Sequence, residues 1–513
     1  MKTFDAWSKM MGVAAYVVVV VGAGNAALCA AISAHENGAK VLVLEKAPED
    51  EKGGNSYFTA GGFRFMHNGL DDVREDVLVD MSDDEADKMI LPTHDRQFFY
   101  ETLMKVTRGQ SNEDLAWTLI DGSRPAMAWL RENGVRFIPM YGRQSFLVDG
   151  KQHFYGGVNI EAVGGGAGLV EFLLKRCNDL GIEIRYGTGA TKLHQQDDYR
   201  ITGLQVRAPG GYEDIACKSV VLACGGFESN PEMRVRYLGQ GWDLARVRGT
   251  RHNTGDGIQM ALDIGAVPYG NWSGCHSVGW DISAPPFGDR WVLDNFQKHS
   301  YPLGIMVNVN GERFVDEGED YRNLTYVRFG KAIMGQPNYT AVQIFDQKTV
   351  SQLRDEYRIK EITRVVGNTI EELAEGLDIP ADKLKATIEA YNSACPDQAT
   401  IDAQYNPAIL DGIGTKGISP AKSNWALPIN EPPYEAWITT TGVTFTFGGL
   451  KIDEKNTVQD KADRPIPGLF AAGELVGGLF YENYPGGTGL MSGSVFGRQA
   501  GQSAAEHARS LNA

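Results

Sequence analysis

The residues best placed to do chemistry come early in the chain. Gly22-Ala-Gly24-Asn25-Ala26-Ala27 follows a run of valines and opens a segment in which alanine dominates. A glycine turn between a strand and a helix is a seat for a pyrophosphate. The first glycine allows the tight turn, the second lets backbone approach the phosphates, and a small residue at the third place lets helix and strand pack closely. Unpaired N–H groups and the helix dipole favour the anion there. Apolar residues resume at 41–44, and Glu45-Lys46 ends them at the offset expected of an acid that holds ribose hydroxyls. Gly412-Ile-Gly414-Thr-Lys-Gly417 matches the same string literally, but no strand-like run precedes it and Ile-Ser-Pro follows, so it is set aside.

Other glycine groups carry weaker signals. Gly53-Gly54-Asn55-Ser56, closed by Ala60-Gly61-Gly62, suits a loop lying flat on a ring system or a diphosphate, and equally an ordinary loop. Cys224-Gly225-Gly226 ends an apolar run where a nucleotide would lie, and Cys224 reads better as a small filler than as a redox thiol. Thr254-Gly255-Asp256-Gly257 either caps a helix or offers Asp256 to a ligand hydroxyl.

The elements that must position these residues follow from patterning. At 513 residues the chain holds two domains or three, and its net charge of −16 argues against a nucleic-acid binder. A few arginines in a cleft could still attract an anion. Six scattered cysteines point to a reducing compartment, and the cytoplasm is the expected location. The nearly uncharged residues 12–34 read as a buried βαβ unit and not as a membrane span, because a glycine turn interrupts them and a second strand follows. Residues 70–135 read as a helical insertion without chemistry of its own. A helix then leads into short strands, IEIRYGT, ATKLHQQ and RITGLQVRAPGGYEDIAC, and into a separate parallel strand at 220–223. From about 271 to 444 the pattern is less regular, with 396–437 loop-like. Strand-and-glycine grammar returns at Gly448-Gly449, Ala472-Gly473-Glu474 and Tyr484-Pro-Gly486-Gly487-Thr-Gly489-Leu490, and a helix closes the chain. The expected division is a nucleotide domain from 1–270 and 445–513, with an inserted domain at 271–444.

Taken together and in order, Gly22–Ala27 with Glu45, the 53–62 loop, Thr254–Gly257, Gly311–Glu317, Gly448-Gly449 and Ala472–Glu474 resemble the fumarate reductase/succinate dehydrogenase flavoprotein family. The resemblance implies FAD, an α/β doubly wound FAD-binding domain of Rossmann-like type, and an inserted α+β cap that closes over the flavin. It places Gly22, Gly24, Asn25, Ala26, Glu45 and Lys46 on the dinucleotide. Gly53, Asn55, Ser56, Gly61 and Gly62 would follow along the flavin and diphosphate. Ala190 and Thr191 would border the adenine, with Gly225, Asp256, Glu474, Gly489 and Leu490 completing the cofactor contacts. Members that attach FAD covalently do so through a histidine in the loop matching 53–62. None stands here, so the FAD is expected to be non-covalent.

On the substrate side the resemblance assigns His276 to a substrate carboxylate and Arg322 to the proton. Phe445 and Tyr484 stand where fumarate reductases have a histidine and an arginine, and Gly487 completes the expected substrate contacts. The Asn483-Tyr484-Pro-Gly-Gly form is similar to tricarballylate dehydrogenase and, over a shorter stretch, to 3-ketosteroid Δ1-dehydrogenases. The implied reaction removes a hydride to flavin N5 and a proton from the neighbouring carbon, next to a carboxylate or carbonyl, with Arg322 or Tyr484 taking the proton and Glu317 or Asp320 as relays. Arg64, Arg251 and Arg290 are further candidate carboxylate clamps. A steroid or sugar-like substrate, or a pure electron-transfer role, are the competing readings. No Cys-x-x-Cys-His or iron–sulfur spacing occurs, so a separate acceptor protein or dioxygen is expected to reoxidise the flavin.

Overall fold

The structure, a computed structural model, describes residues 16–511; residues 12–15 of the uncharged stretch and the extreme ends of the expected nucleotide domain lie outside them. β1 (Tyr16–Val21), α1 (Asn25–Glu36) and β2 (Val41–Leu44) form the expected βαβ unit. Val18, Val19, Val20 and the whole 41–44 run are buried, as β-branched strands covered on both faces must be, and each buried valine contributes roughly 1.5–3 kcal/mol. A helical insertion follows, including α2 (Glu113–Glu132), then α3 (Gly165–Asp179), β3 (Glu183–Arg185), β4 (Gly189–Gln195) and β5 (Ile201–Ala208). β6 (Gly211–Leu222) corrects the sequence reading, which breaks it in two. Its first half pairs antiparallel with β5 and its second half parallel with β1, from Tyr16↔Cys217 to Val21↔Leu222. No turn residue interrupts the segment, so one strand serves both arrangements.

α4 (Asp256–Asp263) leads into β7 (Pro268–Asp281). Next come β8 (Ile305–Asn308), α5 (Arg322–Met334), β9 (Ala341–Phe345), β10 (Val365–Gly367), α6 (Ile370–Leu377) and α7 (Ala381–Ala394). Residues 396–437 are not all loop: a helix runs over Gln398–Gln404, and β11 (Tyr434–Leu450) begins within them. The chain closes with β12 (Thr457–Gln459), β13 (Pro465–Ala471) and α8 (Thr488–Ser510). β13 pairs parallel with β6, giving the parallel order β3-β2-β1-β6-β13, so both ends of the chain build one sheet. The ligand crevice of such a sheet lies beyond the C-terminal ends of its strands.

The second sheet is built on the long antiparallel pair β7–β11, with β9 and β8 beyond and β10 alongside. α6 and α7 bury Leu373, Leu377, Leu384 and Ile388 against Ile305, Val307, Val342 and Ile344 of this sheet. The boundaries expected at 270/271 and 444/445 fall inside β7 and β11, which run on from the nucleotide side into the inserted segment. No helix among the described residues is long and apolar enough to cross a membrane.

Candidate active site

Gly22 has φ +109°, and a Cβ there would lie 2.5 Å from the Ala223 carbonyl oxygen, so β6 closes against the turn only because the residue is glycine. Gly24 is the N-cap of α1, and the Asn25 N–H donates to Ser56 Oγ at 3.0 Å, which lays the 53–62 loop over the helix start. Gly53 and Gly61 do not reach the slot. Both have positive φ and pack against Val170 and Gly165, so they shape the loop while Asn55, Ser56 and Gly62 face inward. The Asn25 side chain turns the other way, donating to the Leu490 carbonyl at 2.8 Å and to Ser494 Oγ at 3.1 Å, and so ties α1 to α8.

Glu45 ends β2 buried. Its two carboxylate oxygens accept the Ala23 and Ala47 N–H groups at 3.0 and 2.8 Å, and burial raises its pKa despite them. Lys46 Nζ bonds Asp256 Oδ2 and Thr254 Oγ1 at 2.6 Å each, closing the rim of the same cavity. Ala190 and Gly225 line that cavity, and Thr191 stands just outside it. Burial pushes the Cys224 thiol up to about 12, so it stays protonated, as the filler reading expects. Glu474 Oε1 accepts from the Thr446 N–H at 2.8 Å and Oγ1 at 3.2 Å. Behind it Glu228, which the sequence reading missed, accepts from Asn55 and Asn253. Burial and the neighbouring Glu474 carboxylate push Glu228 well above the carboxylate range.

The cavity at Glu45 adjoins a second one. Asn25, Ala26, Asn55, Ser56, Gly473 and Glu474 line both, so the two form one extended slot. Glu45, with its carboxylate at the end of β2, would hold a ribose of a bound dinucleotide, and the N-terminus of α1 would face its diphosphate.

The second chamber collects the expected substrate residues. His276 on β7 faces Phe445 on β11, and a bulge follows at Thr444, before Ser277 pairs with Val443. Bulges of this kind re-aim side chains beside active sites. The His276 and Phe445 rings stack at 5.0 Å and 15°, and Tyr484 meets both edge-on at 4.8 and 5.3 Å. His276 Nε2 lies 2.8 Å from the Tyr326 hydroxyl, while burial and the Arg248 charge keep the imidazole neutral. The Tyr484 hydroxyl accepts the Gly489 N–H at 2.9 Å in the first turn of α8, after Gly487 at its N-cap. Gly487, Gly489 and Leu490 all line the chamber.

Arg322 is the first residue of α5 and is held against β7, where Ser277 Oγ donates to the Val327 carbonyl. Its Nη2 donates to the Arg143 carbonyl at 3.0 Å, and its Nε has no partner. Burial and the neighbouring Arg354 guanidinium bring Arg322 down to about 10. The expected relays do not reach it. Glu317 pairs with Arg313 and accepts the Met306 N–H, and Asp320 pairs with Lys105 at 2.5 Å. Nor do the other arginines clamp a ligand here. Arg64 is buried on the carbonyls of Gly486 and Gly156, Arg251 is exposed beside Glu51, and Arg290 stacks 3.5 Å over Tyr57.

Sequence reasoning missed Arg143, Arg248, Gln144, Gln297 and His299. Arg143 and Arg248 share Asp294, at 2.5 and 3.3 Å. Gln144 and His299 are buried and have no partner on either side-chain polar atom. Arg143 and Gln144 share a four-residue helix and the others lie at strand ends or in irregular segments, where neither spacing nor periodicity marks them.

A family model described as FAD binding domain matches residues 17–490. A probable fumarate reductase of Shewanella frigidimarina is 30% identical over 504 residues, covering 96% of this chain and 75% of the relative. The vinyl phenol reductase of Lactiplantibacillus plantarum is 28% identical over 533 residues, covering 96% of this chain and 97% of the relative. The NADH:fumarate oxidoreductase of Klebsiella pneumoniae is 30% identical over 508 residues, and the 96% of this chain that matches spans only 48% of it. Among solved structures, the open conformation of a flavocytochrome c3 fumarate reductase matches with a TM-score of 0.70 at 26% identity, over 99% of this chain and 82% of that one.

Proposed function

Because the chain belongs to the FAD-dependent fumarate reductase/succinate dehydrogenase flavoprotein family, and so is an FAD-dependent enzyme acting on C–C bonds, we propose that the bond it oxidises or reduces lies next to a carboxylate. Bound FAD supplies a two-electron hydride acceptor or donor. The protein's residues supply the rest. Arg322 exchanges the proton at the neighbouring carbon, its pKa lowered enough to do so. Tyr484, its pKa raised by burial, stays protonated and holds the wall of the chamber. The aromatic rings keep water from the reacting carbons, which strengthens each polar contact made there.

The observation that carries this reading is the charge of the chamber. Arg143, Arg248 and Arg322 line it against one lining carboxylate, Glu474; Asp294 pairs with Arg143 and Arg248, and among the described residues Arg322 has no carboxylate within ion-pair distance, Glu356 acting on it from farther off. An anionic group on the substrate balances that excess. A tricarballylate-type substrate would need further cations where Phe445 and Tyr484 stand, which weighs against it. The absence of a histidine from the 53–62 loop supports dissociable FAD, and a separate protein or dioxygen is the proposed acceptor.

Anaerobic spectrophotometry of the flavin-loaded protein tests the reading. Saturated carboxylic acids should bleach the oxidised flavin, or unsaturated acids should reoxidise the reduced one. Bleaching by a 3-ketosteroid, with no response to any acid, would overturn it.

A further inference from the structure

The chamber has two unlike ends. At one end stand polar groups that the protein leaves without partners. Gln144 Nε2 and Oε1, both ring nitrogens of His299, Nε of Arg322 and Nε of Arg248 are buried and make no hydrogen bond. All four side chains line the same cavity, and Gln144 and His299 are 0% and 2% exposed. Leaving so many buried donors and acceptors open is costly unless a ligand meets them. They offer what one carboxylate needs: guanidinium and amide donors, and a neutral imidazole donor.

At the other end the wall is aromatic. Phe445, Phe447, Phe480 and Tyr484 contact one another with centroids 5.1–5.9 Å apart. The Tyr484 hydroxyl is already taken by the Gly489 N–H, and Arg64, whose charge also acts on Tyr484, is held on the Gly486 and Gly156 carbonyls and does not line the cavity. His276, neutral and bonded to Tyr326, is the seam between the two ends. A second carboxylate placed against Phe445 and Phe480 would be desolvated without a counter-charge, whereas a flat ring would meet π faces at favourable spacing.

Resting on the carboxylate reading above, we propose that the substrate is a monocarboxylate whose other end is a flat aromatic ring, the 3-arylpropanoate/3-arylacrylate pair. Gln144 and His299 receive its carboxylate with the arginines, and Phe445, Phe480 and Tyr484 receive its ring.

The test is equilibrium binding to the oxidised flavin-loaded protein, read from perturbation of the flavin spectrum, with 3-phenylacrylate, crotonate and fumarate as probes. Phenylacrylate should bind about a hundredfold more tightly than fumarate. His299→Ala should weaken phenylacrylate and crotonate alike, by about tenfold. Phe445→Leu should weaken phenylacrylate by much more than crotonate. If that variant loses its flavin, the three-probe comparison on the unaltered protein decides alone. Fumarate binding as tightly as phenylacrylate, or Phe445→Leu weakening both monocarboxylates equally, would overturn the aryl assignment while leaving the carboxylate reading standing. Failure of all three acids to bind would overturn both.

Discussion

A guanidinium in water holds its proton far above the pH range of most enzymes, and a proton carrier works best when its pKa approaches that range. Arg322 is moved toward it by burial at the start of α5 and by Arg354, down to about 10. The sign of the pH effect follows. In the reducing direction Arg322 must be protonated, so turnover should hold through neutral pH and fall as pH rises through about 10. In the oxidising direction it must be free to accept, so turnover should rise toward the same value. Arg322→Gln should lower turnover by about 10²–10⁴-fold in both directions and abolish the two opposed limbs, with FAD content unchanged. Opposed pH–rate profiles that survive in the variant would move the proton to Tyr484 or elsewhere.

The elements hold these residues through close backbone approach. A Cβ at Gly497 would lie 2.4 Å from the Ala26 carbonyl oxygen, and one at Gly501 would lie 2.2 Å from that of Ala30. α8 therefore lies directly against α1, and only then can Asn25 reach the Leu490 carbonyl and Ser494. The same helix carries Gly489, which fixes the Tyr484 hydroxyl. One helix packing thus registers the nucleotide seat with the substrate wall. Gly497→Leu should force the helices apart and destabilise the fold by about 1–3 kcal/mol, measured by denaturant unfolding. FAD per protein should fall with it. Unchanged stability and flavin content would show that the contact can relax.

At the scale of the whole molecule, the slot is assembled from segments far apart in sequence: β2 and α1, the 53–62 loop, β7 and β11, α5, and the start of α8. A ligand that spans them binds only the folded chain, so it stabilises by mass action. Tm should rise steadily with FAD concentration, by about 2.7 kcal/mol of added stability at a hundredfold excess over Kd. Acid precipitation should leave the flavin in solution. Flavin that stays with the precipitate would mean a covalent link and end the dissociable reading.

The amino-acid sequence by itself determined a dinucleotide cofactor, which the family resemblance narrowed to FAD, and the nucleotide half of the fold. Gly22, Gly24 and Glu45 act through local geometry, a turn, a helix start and a strand end, and local geometry is written in spacing and periodicity. His276, Arg322, Phe445 and Tyr484 were singled out only through the family resemblance, not by spacing or periodicity. The break in β6, the relays and the three extra clamps were misread, since which neighbour an acid or arginine finds depends on how distant segments meet. Gln144, Arg248 and His299 were silent for the same reason. Their significance is that they are buried together with unpartnered polar atoms at one end of a chamber, and burial and missing partners exist only once the β7–β11 pair, α5 and the short helix at Arg143 have packed around a common space.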